Sequence, residues 1–352
     1  LTTMTNKIKT AFYVQRRIAL ILFCVAMTST FFSCDSHPHF KNSGEAIKAC
    51  HDALEEYRDT KDASTKTLAG DISSWLELQD SAYATFSRDS SVTLHSPIAL
   101  AYFSTADSVR IELKRIATSR PRSLKDVMYL KLYTAKERDK VRKSKTWEAT
   151  VNFYKELDKR NCFPSLPATL RAYETLFERT KEFKKGQQLR DYIAAEDLCF
   201  RSLMKYLSAV PQKRLKELTA ETSNVFDKFY GVVGKTHSDF DDQTMLLLTM
   251  RFNRRIIQNA EACRDDIKNN SDLDEAQRAN YRWMLIQPYM TLDSFSTATL
   301  TDKQIESLLK IADELPSLLT SLDESEEKNK QAQEVTKVLA DYFLNSYIST
   351  TL

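Results

Sequence analysis

Residues 305–322 read IESLLKIADELPSLLTSL, and this stretch decides the fold class. Ile305, Leu308, Leu309, Ala312, Leu315, Leu319 and Leu322 recur at spacings of three and four. That is the period of one face of an α-helix, about 100° wide, made to pack on other helices. Pro316 falls inside the stripe. It lacks an amide hydrogen and crowds the preceding turn, so a kink or a split is expected there.

The same period recurs along the chain. Ile72, Trp75, Leu76, Gln79, Ala82, Tyr83 and Phe86 share one face. Ile98, Tyr102, Val109, Leu113 and Ile116 share another, behind a start signal of Ser96 as N-cap and Pro97 at the first helical position. Ser123 and Asp126 have the spacing of a cap ahead of Val127, Leu130 and Tyr133. Val335, Val338, Leu339, Tyr342 and Phe343 make a last amphipathic helix. No run alternates as a half-buried strand does. Only 5 of the 352 residues are Gly, far below the usual ~7%. Tight hairpins and phosphate cradles need glycine for its positive φ, so helices joined by short polar turns are the economical solution.

The expectation is an all-α chain of roughly nine to eleven helices, as a multi-helix bundle, an irregular helical array or a solenoid-like stack. Breaks are expected near 88–95, 119–123, 161–167, 208–212, 231–240, 269–273, 295–301 and 323–329. Any subdivision of the helical domain, residues 45–352, is expected near 161–167, where Pro164 and Pro167 stand.

The N-terminus has a different character. Lys7, Lys9, Arg16 and Arg17 precede an apolar run, Ile18 to Met27. That run is short for a spanning helix, which needs ~20 residues, and matches an export signal. It ends in Phe31-Phe32-Ser33-Cys34. This ending resembles the bacterial lipobox, with Phe at the two positions where Leu and a small residue are usual. The chain is accordingly identified as similar to exported lipoproteins of the Bacteroidota, a resemblance carried by about the first forty residues and by overall helicity. It implies a signal peptide over 1–33, acylation of Cys34 and a flexible tether over 34–44. It also implies the cell envelope, with the outer membrane as the expected anchor. Asp35 stands alone after the cysteine, without the acidic cluster associated with surface display.

The chain carries 51 basic and 48 acidic residues. Without the four basic residues before Cys34, 47 face 48, so the basic excess of a nucleic-acid binder is missing, and no nucleic acid is expected as a partner.

Chemical motifs are scarce. Gly231-Val-Val-Gly234-Lys235-Thr236 ends like a phosphate-binding loop, but position 229 is Phe where the first glycine is needed; a helix end and loop is expected instead. Cys50, Cys162, Cys199 and Cys263 are widely spaced, which suits buried thiols and leaves disulfides open. His37 and His39 lie in the tether, and His51 and His95 stand apart. His237 lies near Asp239, Asp241 and Asp242, which suit the acidic first turn of a helix. The acids from Asp265-Asp266 to Glu275 lack the turn glycine of a calcium loop. Lys136 to Lys145 holds six basic and two acidic residues, a solvated helix face or a contact for anionic headgroups. Asp80-Ser81-Ala82 and Asp107-Ser108-Val109 resemble a short O-glycosylation motif.

No cofactor, metal or catalytic residue is assigned. Cys34 is the one site residue, through its lipid. The leading expectation is a membrane-anchored, non-enzymatic binding or scaffold module for an unknown envelope protein or glycan. The alternative is a helical envelope enzyme acting on glycan or peptidoglycan. A third reading, similarity to the helical starch-capture lipoproteins, would place Trp75, Trp147 and Trp283 on a sugar platform.

Overall fold

The computed structural model describes residues 40–351, apart from 62–63, 120–122, 136–137, 183–188, 237–241, 271 and 323–324. Cys34, the signal segment, His37, His39 and His237 lie outside the described residues. Among the described residues the chain is all helical, with fourteen α-helices, one short 3₁₀ turn and no strand. That is more helices than the nine to eleven expected. The surplus comes in part from two five-residue helices, Arg138–Arg142 and Ser294–Ala298. No described helix is long and apolar enough to cross a membrane.

The chain divides into two compact units between residues 121 and 122. The first holds three helices, α1 (Ser43–Asp59), α2 (Thr65–Phe86) and α3 (Pro97–Thr118). Each starts on a side-chain cap. Asn42 accepts from the amide of Glu45, Ser64 from Thr67 and Ser96 from Ala99. Such caps satisfy amides that have no partner inside the helix, about 1 kcal/mol each. Cys50, Leu68, Ile72, Trp75, Val109 and Leu113 fill the interior. The chain enters this unit beside the end of α2. The Phe40 amide donates to Thr85 Oγ1 at 2.9 Å, and Ser43 Oγ donates to Asp89 Oδ2 at 2.6 Å.

Gly70 lies on the exposed side of α2, and a Cβ placed there meets nothing within 4 Å. Gly70→Ala is expected to stabilise the unit by about 1 kcal/mol, because alanine loses less backbone freedom in a helix. A thermal melt followed by circular dichroism should rise by about 5 °C.

The second unit spans residues 122–350. Its helices are α4 (Leu124–Tyr133), α5 (Arg138–Arg142), α6 (Lys145–Asp158), α7 (Leu166–Lys181), α8 (Leu189–Lys205), α9 (Gln212–Thr236), α10 (Asp242–Asn269), α11 (Glu275–Thr291), α12 (Ser294–Ala298), α13 (Asp302–Ser321) and α14 (Glu326–Thr351). The long α10 organises it, touching α6, α8, α11, α12 and α13. Its first half puts Leu246, Leu247, Leu248 and Met250 into a core with α6–α9. Its second half puts Ile256, Ile257, Ala260 and Cys263 into a core with α4, α11, α13 and α14. One 28-residue helix therefore joins two hydrophobic clusters. The prolines at 164 and 167 sit around the turn into α7, within this unit.

Three local expectations need correction. α9 runs through Gly231 and Gly234 to Thr236, so no loop opens at 231. No described glycine has positive φ, and the buried Val225 and Phe229 carry the helix into this stretch. Two helical glycines cost about 1 kcal/mol each, which packing outweighs. Pro316 lies inside a continuous α13 and does not split it. The residues on both sides, Leu315, Leu318 and Leu319, are buried in the core, and their burial offsets the one missing backbone bond. The expected break at 295–301 contains a short helix instead, α12, started by Asp293 accepting from Ser296.

Candidate functional site

The most concentrated chemistry among the described residues lies where α6, α8 and α10 meet. α8 supplies Glu196 and Asp197, both about 6% exposed. α10 supplies Arg251, Arg254 and Arg255, placed by the i, i+3, i+4 spacing on one side of the helix. Arg201 and Asp158 complete the group. Glu196, Asp197, Arg251, Arg254 and Arg255 wall a shallow recess of about 230 Å³, part of it open solvent, with Tyr154, Phe200 and Gln258 also in its lining.

The pairing is dense. Asp197 accepts from Arg201 Nε at 2.8 Å through one oxygen and from Arg254 Nε at 2.9 Å through the other. Glu196 lies 2.6 Å from Arg255 and 3.3 Å from Arg251. Arg254 also pairs with Asp158. Arg201 reaches on to the carbonyl of Leu157 at 2.6 Å and that of Arg160 at 3.3 Å, closing the end of α6. The guanidinium planes lie on aromatic rings, Arg255 over Phe200 at 3.2 Å and Arg254 over Tyr154 at 5.2 Å. Burial works against the charge on Arg254, but Asp158 and Asp197 outweigh it and raise its pKa. Burial also raises the Tyr154 hydroxyl, which donates to the Leu247 carbonyl at 3.2 Å, and pushes the Cys199 thiol up to about 12.

Each buried carboxylate here is engaged by two arginines. A general acid or base needs an oxygen free to exchange a proton with substrate. This geometry is that of a clamp, holding three helices by charge-assisted hydrogen bonds.

A second feature lies on the first unit. Tyr83, Leu94, Leu100, Phe103 and Ile111 are exposed, five of the nine large exposed apolar side chains among the described residues. Leu100, Phe103 and Ile111 run along the side of α3 opposite the buried Tyr102, Val109 and Leu113, so this helix is apolar on two faces. Tyr83 and Phe103 both pack edge-on against Tyr102, at 5.3 and 5.7 Å between ring centres.

The motifs noted in the sequence do not converge. Cys50, Cys199 and Cys263 are buried and Cys162 half-buried, and all four are free thiols. His51 Nδ1 lies 3.5 Å from Thr105 Oγ1, and His95 is exposed. Asp242 opens α10. Among the described residues no group of His, Cys, Asp and Glu is placed to hold a metal ion. Within the basic run, Arg138 donates to the Leu132 carbonyl, and Arg142 pairs with Asp302 at 2.7 Å. Both arginines tie helix ends, while Lys140, Lys143 and Lys145 are exposed, as on a solvated face. Ser81 and Ser108 donate to the carbonyls of Glu77 and Ser104 in their own helices. Trp75 is buried, Trp147 half-buried and Trp283 39% exposed, each on a different helix.

The clamp had a signal in the sequence: three arginines from 251 to 255 inside an apolar helix, and Glu196-Asp197 between alanines and Leu198. Polar residues on an apolar face demand partners. Comparison with known proteins found no matching family model, no similar curated protein and no similar solved structure.

Proposed function

We propose that the chain is a lipid-anchored helical module of the bacterial cell envelope that works by binding or scaffolding. The observation that carries this reading is the exposed cluster of Tyr83, Leu94, Leu100 and Phe103 on the unit nearest in sequence to Cys34. Large apolar side chains left exposed at one end of a unit suit a docking site. The clamp in the second unit supports the same reading, because its carboxylates are engaged in holding helices together. Lipid on Cys34 would fix the module to a membrane, since two or three acyl chains hold far more firmly than one.

The test is to express the full chain and a Cys34→Ala variant in a related bacterium supplied with labelled fatty acid. The wild-type protein is expected in the membrane fraction carrying label, and the variant unlabelled and uncleaved. Absence of label from both would return the choice to a secreted protein or an uncleaved helical anchor.

A further inference from the structure

We propose that the exposed apolar end of the first unit docks on the lipid surface to which Cys34 is anchored, so that the module is seated on the bilayer rather than hanging free. This rests on the lipid-anchor reading above and adds the partner of the exposed cluster.

The Phe40 amide is fixed on Thr85 Oγ1, and Ser43 on Asp89. Thr85 lies in the last turn of α2, and Asp89 three residues past its end. Cys34 is six residues before Phe40, so the backbone between them can span at most about 20 Å. The same end of the unit carries the exposed cluster. Tyr83 is 54% exposed, Leu94 in the α2–α3 turn 73%, Leu100 57% and Phe103 40%. Tyr83 and Phe103 flank the same Tyr102 ring. The chain is therefore fixed at the end of the unit that also carries these four large apolar side chains.

The chemistry fits a bilayer interface. Tyrosine suits the headgroup level, with an apolar body and a polar tip, while leucine and phenylalanine reach the acyl boundary. Charge plays little part. Lys41 and Arg88 are balanced at this end by Glu45 and Asp89, so the attraction does not need anionic lipid. A surface of this size would bind a membrane weakly from solution. A tether this short turns that binding into an intramolecular step at high effective concentration.

The experiment uses the full chain, processed in a bacterium, purified and reconstituted in phosphatidylcholine vesicles carrying a lipid-bound quencher. A fluorophore is placed at Leu100→Cys or, as reference, at Lys114→Cys at the other end of α3. Both are made with Cys162→Ser, since Cys50, Cys199 and Cys263 are buried. The probe at 100 is expected to be quenched several-fold more than the probe at 114. Adding Phe103→Asp should abolish that difference while acylation and helix content stay unchanged. Equal quenching at both positions in an acylated protein overturns the docking and leaves the anchor standing. Absence of acyl label on Cys34 overturns both.

Discussion

Asp197→Ala is expected to cost the second unit about 3–5 kcal/mol, the penalty for removing one partner of a buried ion pair. Asp197 bridges two arginines on different helices, at 2.8 and 2.9 Å, from a site about 6% exposed. Without it, Arg254 keeps only the more exposed Asp158, and Arg201 keeps only the carbonyls at the end of α6. Both guanidinium groups stay desolvated with too little negative charge to compensate. The midpoint of thermal unfolding should fall by about 10 °C. Asp197→Asn retains shape and one acceptor oxygen and should cost less. Glu156→Ala gives the reference: its pair with Lys159 is exposed on both sides, and removing such a pair changes stability by about 0.5 kcal/mol or less. Denaturant melts of the three variants decide the matter. Equal small losses at 197 and 156 would mean that the clamp is not what holds α6, α8 and α10.

The helical class was legible because it rests on local rules. The Ser96-Pro97 start and the Ser123–Asp126 capping box are both in place, and both depend on residues within one turn. Expectations failed where packing opposed a local rule. Gly231, Gly234 and Pro316 read as interruptions because each raises the cost of a helix, and each is carried by buried neighbours that are visible only in the fold. The clamp was hidden for a different reason. Asp158, Glu196, Asp197 and Arg254 lie up to 96 residues apart, and no spacing rule pairs them. The exposed face of α3 was hidden by its own composition. Leu100, Phe103 and Ile111 look like core residues in sequence, and only the crowding of the opposite face by Tyr102, Val109 and Leu113 shows that they are left outside.

Alkaline unfolding is the largest effect expected of the second unit. Five of its tyrosines, Tyr154, Tyr173, Tyr281, Tyr289 and Tyr347, are buried, and burial raises each of their pKa values above the ordinary one. Burial likewise pushes the Cys199 thiol up to about 12 and the Cys263 thiol higher still. In the unfolded chain the thiols ionise near pH ~8.5 and the phenols near ~10. Above those values the folded state holds protons that the unfolded state has released. Each such group therefore lowers stability by about 1.4 kcal/mol per pH unit.

Lys131 acts in the opposite sense. Its ammonium donates to the Leu292 carbonyl at 2.7 Å and lies 4.9 Å from the centre of the Phe343 ring, and burial lowers its pKa to about 8. From there to the unfolded value near ~10.4 the unfolded chain binds the extra proton, so stability gains from this one group as pH rises. Around pH 9 this gain offsets one of the two thiols, leaving a shallow loss of about 1.4 kcal/mol per pH unit. Beyond pH 10 five tyrosines and two cysteines act together, at up to about 10 kcal/mol per pH unit. A unit stable by about 5–15 kcal/mol should then unfold cooperatively about one pH unit higher. The final rise in tyrosinate absorbance and the loss of helical circular dichroism should come together near pH ~11. Tyrosinate absorbance reaching its full value, all tyrosines included, near pH ~10 with helix intact would mean that these five hydroxyls are open to solvent. Lys131→Met should remove the gain between pH ~8 and ~10 and leave the steep loss above it unchanged.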